Sequence, residues 1–96
     1  MKIINLIPYG KNNATTRTRL CELTKLSDRK IRDLIADARR DNAIINTQDG
    51  KGYYRPLPSD IDAVRQYLSQ EEHRAKSIFW AMKGAKEWLK QKDTIG

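Results

Sequence analysis

The chain has 96 residues, 19 of them basic and 12 acidic, and a net charge of +7 near neutral pH. That length allows one small domain with an appended element, and the single cysteine, Cys21, excludes an intramolecular disulfide. The basic excess favours a polyanionic partner, either nucleic acid or an anionic membrane surface. The N-terminal MKIINLIPYGK has too short an apolar run for a secretory leader. No stretch approaches the ~20 apolar residues of a membrane span. The expectation is a cytoplasmic chain with no membrane partner.

Residues 2–7, KIINLI, are apolar with one polar break and predict a short first helix, ended by Pro8 and Gly10. Ala14 and Thr15 suit a brief strand. Thr16 is a candidate N-cap, because its hydroxyl can accept from a free backbone N–H. Leu20, Leu23 and Thr24 then share one helical face. Thr24-Lys25-Leu26 interrupts that helix with a turn. Such turns often carry Gly, and a left-handed backbone is mildly costly for Lys25. Ser27 is the next N-cap, with Asp28 in the first turn where negative charge suits the helix dipole. Ile31, Leu34, Ile35 and Ala38 form a narrow apolar stripe, and the helix is expected to run 28–41. Asn42 is expected to close it in the left-handed conformation.

Residues 43–46 and 52–55 are β-prone and flank an Asp49-Gly50 turn signal, so they predict a hairpin. Pro56 and Pro58 prevent a longer strand. Ser59 is the expected cap of a long helix, with Asp60 and Asp62 in its first turn. Ile61, Val64, Leu68, Ala75, Ile78, Met82, Ala85 and Leu89 trace a heptad seam with a gap at Glu71. Ser69 and Glu72 make a capping-box pattern, and a break there is the alternative reading. One continuous helix is the preferred reading.

The stretch Arg17–Asp41 therefore reads as helix, tight turn, helix, and the hairpin behind it supplies a wing. The expected fold is mostly α with a small β-hairpin wing. A winged helix-turn-helix would occupy residues 1–57 and a long C-terminal helix residues 58–96. In such a fold the second helix lies in the major groove of DNA, and its N-terminal half meets base edges. With Ile31 facing inward, Arg29, Asp33, Ala36 and Arg40 point out, flanked by Lys30, Arg32, Asp37 and Arg39. Arg29 is the first candidate for reading a base, since Arg bonds guanine bidentately, and Lys30 and Asp33 come next. Asp33 would also reach Arg29 at i+4. Ser27 and Arg40 complete the candidate set on helix 28–41. Arg17 and Arg19 would clamp the DNA backbone. Lys51, Tyr53 and Arg55 on the wing, 43–55, would touch phosphate or an adjacent minor groove. Asp33 and Asp37 support the competing reading, a solvated mixed-charge face.

The run NATTRTRLCELTKLSDRKIRDLIADARRDNAIINTQDGKGYY, with the Gly-Tyr-Tyr at its end, resembles the winged-helix domains of small phage and prophage proteins from Gram-positive bacteria. The similarity spans Asn13 to Arg55, and the Arg74-x-x-x-Ile78 step of the following helix is also of that type. It implies duplex DNA binding. Arg29, Arg32 and Arg39 fall on the recurring arginines of the pattern. The flank positions of Arg32 and Arg39 suggest bonds to carbonyls or helix ends inside the domain.

His73 and Cys21 form no metal-spacing cluster, no phosphate-binding Gly-rich loop is present, and Asp60 and Asp62 read as helix-start residues. Neither an enzyme nor a cofactor is expected. A Cys21–His73 pair would need the long helix to fold back, and Cys21 is better read as an apolar thiol in the interior. On the last helix, Ile78, Phe79, Met82, Trp88 and Leu89 are the candidate homodimer interface, with Trp80 widening the apolar face. The competing reading packs this face on the domain's own first helix. The sequence thus predicts a non-enzymatic duplex-DNA-binding protein, either a phage-type transcriptional regulator or an accessory factor in phage replication or excision. The alternative is a winged-helix protein-interaction module.

Overall fold

The computed structural model describes residues 2–46 and 50–95, the last two by backbone only. The chain is mostly helical, with a small antiparallel sheet and a long C-terminal helix. A 3₁₀ turn at Ile3–Leu6 and a second at Lys11–Asn13 precede helix α1, Arg17–Thr24. Helix α2 spans Asp28–Ala38. Strands β1, Ile45–Asn46, and β2, Tyr53–Tyr54, pair with Ile45 opposite Tyr54 and Asn46 opposite Tyr53. A further 3₁₀ turn, Pro58–Asp60, leads into α3, Ile61–Ile95.

The core is built from isoleucines. Ile3, Ile7, Leu20, Ile31, Ile35 and Ile44 form one cluster, with Ile45 and Tyr54 also buried. The apolar stripe of α2 divides accordingly, Ile31 and Ile35 fully inside and Leu34 and Ala38 at the edge. On α1 only Leu20 is fully buried. Cys21 is half-buried against the cluster, and Leu23 remains 50% exposed. Burial of each large aliphatic side chain contributes about 1.5–3 kcal/mol, so this cluster carries most of the domain's stability.

Both expected caps on α1 and α2 form. Thr16 Oγ1 accepts from Arg19 N at 3.1 Å, and Ser27 Oγ accepts from Lys30 N at 3.1 Å. Between them Lys25 takes the left-handed conformation, φ 63°, and its N–H donates to Cys21 O at 2.8 Å. Thr24 Oγ1 locks the same turn, donating to Leu20 O and accepting from Leu26 N. The turn therefore keeps a strained lysine because local hydrogen bonds over-determine it.

Several boundaries differ from the sequence reading. The first element is a 3₁₀ turn rather than an α-helix. Helix α2 ends at Ala38 instead of 41, and Asn42 does not close it in the left-handed region, since Lys25 is the sole non-glycine with positive φ among the described residues. Asn42 instead donates twice to Ala38 O, from its backbone N at 3.1 Å and its Nδ2 at 3.0 Å. The strands are shorter than the β-prone stretches, and Asp49 of the turn lies outside the described residues. Ser59 is not the cap of the last helical segment. Leu57 holds that place, with Pro58 first in the turn, and Asp60 Oδ2 accepts from Leu57 N at 2.8 Å. Proline is pre-organised for that first position and Asp for the third. The Ser69–Glu72 pattern produces no break, and α3 is continuous over 35 residues.

The sheet is wider than its two strands. Thr15 and Tyr53 exchange both backbone hydrogen bonds, 2.9 and 2.7 Å, so β2 lies between β1 and the segment before α1. Gly52 permits this approach. Its φ is +102°, and a Cβ there would overlap the Thr15 carbonyl. The root of α3 then lies on β1 and the residues before it, with Val64 and Tyr67 half-buried, not on the first turn of the chain.

Replacing Gly52 by Ala is expected to lower stability by at least about 2 kcal/mol, because clash adds to the positive-φ cost. Gly50 has φ +77° and open space around it, so Gly50→Ala is expected to cost only about 1 kcal/mol. Lys25→Gly removes a left-handed lysine and is expected to raise stability by roughly 0.5–1 kcal/mol. Urea unfolding of the three variants checks the order.

Candidate nucleic-acid interface

The structure sorts the cationic side chains into two groups. The first group is tied to partners within the chain. Arg17, first residue of α1, donates from Nε to Asp28 Oδ1 at 2.9 Å and from Nη1 to the Tyr53 hydroxyl at 3.4 Å. Its pKa is raised, first by the Tyr53 hydrogen bond and charge and further by Asp28, so it remains a cation throughout the physiological range. Asp28 Oδ2 also meets Arg32 Nε at 3.3 Å, and one carboxylate thus sits between two guanidinium groups. These pairs are exposed, worth roughly 0.2–1 kcal/mol each, and serve more to orient than to stabilise.

Arg39 is the second committed cation. Its Nε donates to Ile44 O and its Nη2 to Asn46 Oδ1, both at 3.0 Å. Its guanidinium carbon lies 5.5 Å from the Tyr53 ring centroid and 5.3 Å from that of Tyr67. Burial pushes the Tyr67 phenol pKa up, so this ring stays neutral beside the cation. Arg55 is the third. It donates from Nε to Ile7 O at 2.8 Å and stacks on Tyr9 at 4.0 Å. The sequence reading placed Arg55 on the outer surface of the hairpin, but the neighbouring pairing of Tyr9 with Arg55 turns its side chain back on the N-terminal segment. Arg39 takes the internal role that its flank position suggested, whereas Arg32 stays exposed, paired with Asp28 one turn back on the same helix.

The second group faces outward. Arg29, Lys30, Asp33 and Arg40 are exposed, and among the described residues no salt bridge joins any of them to a partner, Arg29 and Asp33 included. Arg40 lies in the turn after α2, its N–H on Asp37 O. Arg19 is exposed and meets Glu22 at 3.6 Å. Ser27 Oγ is used as the α2 cap. Tyr53 is half-buried, its hydroxyl on Arg17 and its ring against Arg39, so it links elements more than it presents a free surface.

An open groove of about 340 Å³ is lined by the start of α1, Asp28, Asn46, Tyr53 and the hairpin glycines Gly50 and Gly52. A second depression, about 300 Å³, brings Lys51 beside Lys11, Asn12 and Ala14. Lys11 was not singled out by the sequence reading. It is forty residues from Lys51, and only the Thr15–Tyr53 pairing shows that the two lysines share a surface. Arg29, Lys30 and Arg40, on or just after α2, and the Lys11–Lys51 pair are the exposed cations on this side of the domain.

The interface candidates on α3 are all exposed: Ile78, Phe79, Met82, Trp88 and Leu89. Every side chain from Glu72 to Asp93 is exposed, because this half of the helix projects past the domain. Trp80 does not widen the seam. It is 81% exposed and lies two residues from Met82, about 160° around the helix. His73 sits on this projecting, unbroken helix. Among the described residues no group of three or more His, Cys, Asp or Glu is placed to hold a metal ion, and no helix is long and apolar enough to cross a membrane.

Comparison of the chain with protein-family models, with characterised proteins and with solved structures gave no match.

Proposed function

We propose that this chain is a duplex-DNA-binding protein of the winged helix-turn-helix type. Helix α2 enters the major groove, and the hairpin, as the wing, meets backbone or minor groove. The observation that carries the reading is the sorting of cations. Arg17, Arg32, Arg39 and Arg55 are tied to partners within the domain, whereas Arg29, Lys30 and Arg40 are held outward on or just after one helix. The helix start that bears Arg29 is capped by Ser27, so its first turn is rigid. Lys51 and Lys11 stand where a wing would reach phosphate. The protein acts by occupying DNA in the cytoplasm, with no chemistry and no cofactor. Its role is that of a phage-type transcriptional regulator or of an accessory factor in replication or excision, and two copies pair through α3.

A second reading, a protein-docking module, is favoured by one observation. Asp33 and Asp37 are exposed on α2 and would face phosphate repulsion in a groove. A mobility-shift assay over random duplexes separates the two, since no retardation at low salt removes DNA binding.

Selection from a random duplex pool, followed by fluorescence anisotropy, tests the residue roles. Arg29→Ala is expected to relax preference at one base pair by about 1–3 kcal/mol. Lys51→Ala is expected to weaken all duplexes alike and to reduce the salt slope by about 1. Equal behaviour of the two variants would reject the assignment of base reading to Arg29.

A further inference from the structure

The projecting half of α3 exposes an apolar strip whose line continues to its root, broken at Glu71. Ile78, Met82 and Leu89 lie on the line of Leu68 and Ile61, both of which are also half exposed or more. Phe79 borders it. An exposed apolar strip of this length on a small domain marks an interaction surface. The charges beside it identify the occupant and its direction.

We infer that the strip is covered by α3 of a second copy running antiparallel, with the two-fold axis near residue 80. This rests on the pairing proposed above but not on DNA binding. In heptad terms Leu68, Ala75, Met82 and Leu89 share one seam position, and Val64, Glu71, Ile78, Ala85 and Lys92 share the other. A parallel pair sets identical residues face to face. Glu71 would then meet the partner's Glu71, and Lys92 the partner's Lys92, so both ends of the seam would carry like charges. The antiparallel pair removes both clashes. Met82 meets the partner's Ile78, and Ala75 meets the partner's Ala85, where two small residues allow close approach. Leu89 falls beside the stem of the partner's Glu71.

The flanks agree with this direction. In an antiparallel pair the residue following each Val64-type position faces its own kind across the interface. Glu72 then lies opposite the partner's Lys86, and Arg65 opposite the partner's Asp93, each pair occurring twice by symmetry. Phe79 meets the partner's Phe79 at the axis. On the other flank Trp88 meets the partner's Arg74, a cation–π arrangement. The open side of the α3 root, where Arg65 and Leu68 are exposed, leaves room for the partner's helix end, since the domain body covers the Tyr67 side. Trp80 stays outside. The two domains then sit at opposite ends of the paired rod. Their Val64 residues are roughly 48 Å apart along it at ~1.5 Å per residue, more than the ~34 Å of one DNA turn.

Sedimentation equilibrium of the full chain without DNA tests this, so its outcome is independent of DNA binding. The wild-type chain is expected to form a dimer. Glu72→Lys and Lys86→Glu alone are each expected to weaken the dimer roughly tenfold, since each turns two symmetric ion pairs into like-charge contacts. The double variant Glu72→Lys/Lys86→Glu is expected to restore wild-type affinity, and Lys83→Glu, outside the interface, to leave it unchanged. A monomer at all concentrations would overturn the pairing and the direction together. A dimer indifferent to the single reversals, or not rescued by the double variant, would overturn the antiparallel arrangement.

Discussion

The side chain of Arg39 joins three parts of the molecule that otherwise touch little. It leaves the end of α2, bonds the Ile44 carbonyl and the Asn46 amide of the hairpin, and stands between the rings of Tyr53 and Tyr67. Tyr53 belongs to β2 and Tyr67 to the root of α3. A planar guanidinium can donate in its plane and stack on both faces at once, which a lysine ammonium cannot do. The angle between α2 and the hairpin, and the direction in which α3 departs, both pass through this one group.

A second constraint acts on the opposite edge of the sheet. The Thr15–Tyr53 pair brings the segment before α1 into contact with β2, and Gly52 leaves room for it. Tyr53 thereby receives backbone bonds from Thr15, a hydroxyl contact from Arg17 and a ring contact from Arg39. The hairpin has only two paired residues in each strand and would be marginal alone. It is held by these flanking contacts, and they also set the position of Lys51 beside Lys11. The proposed wing is thus rigid at its base for the same reason that its basic tip is placed.

The proposed DNA-facing surface and the proposed dimer surface lie on separate elements. The first depends on α2 and the hairpin, the second on the exposed side of α3 from Arg65 onward. They are joined through the root of α3, where Val64 and Tyr67 meet the hairpin and Arg39. With longest dimension 56 Å, the chain is elongated chiefly because α3 extends past its domain. That geometry separates the proposed pairing surface from the proposed DNA-facing surface.

Much of the fold was legible in the sequence because it depends on neighbours along the chain. Thr16 and Ser27 cap their helices, Lys25 takes the strained turn, and the Ile31–Ile35 stripe faces inward, since each follows from contacts three or four residues away. The heptad seam of α3 is local in the same sense. Of the candidate site, the outward positions of Arg29 and Asp33 were readable from helical periodicity alone. Arg17, Tyr53 and Arg55 were not, because their partners lie eleven to forty-eight residues away and charge carries no address in a sequence. Local pattern determined which segments are helix, turn and hairpin and which face of α2 is apolar. Tertiary packing alone decided that Arg17 and Arg55 are tied down, because the carboxylate, hydroxyl and carbonyl that hold them reach them only when distant segments fold together.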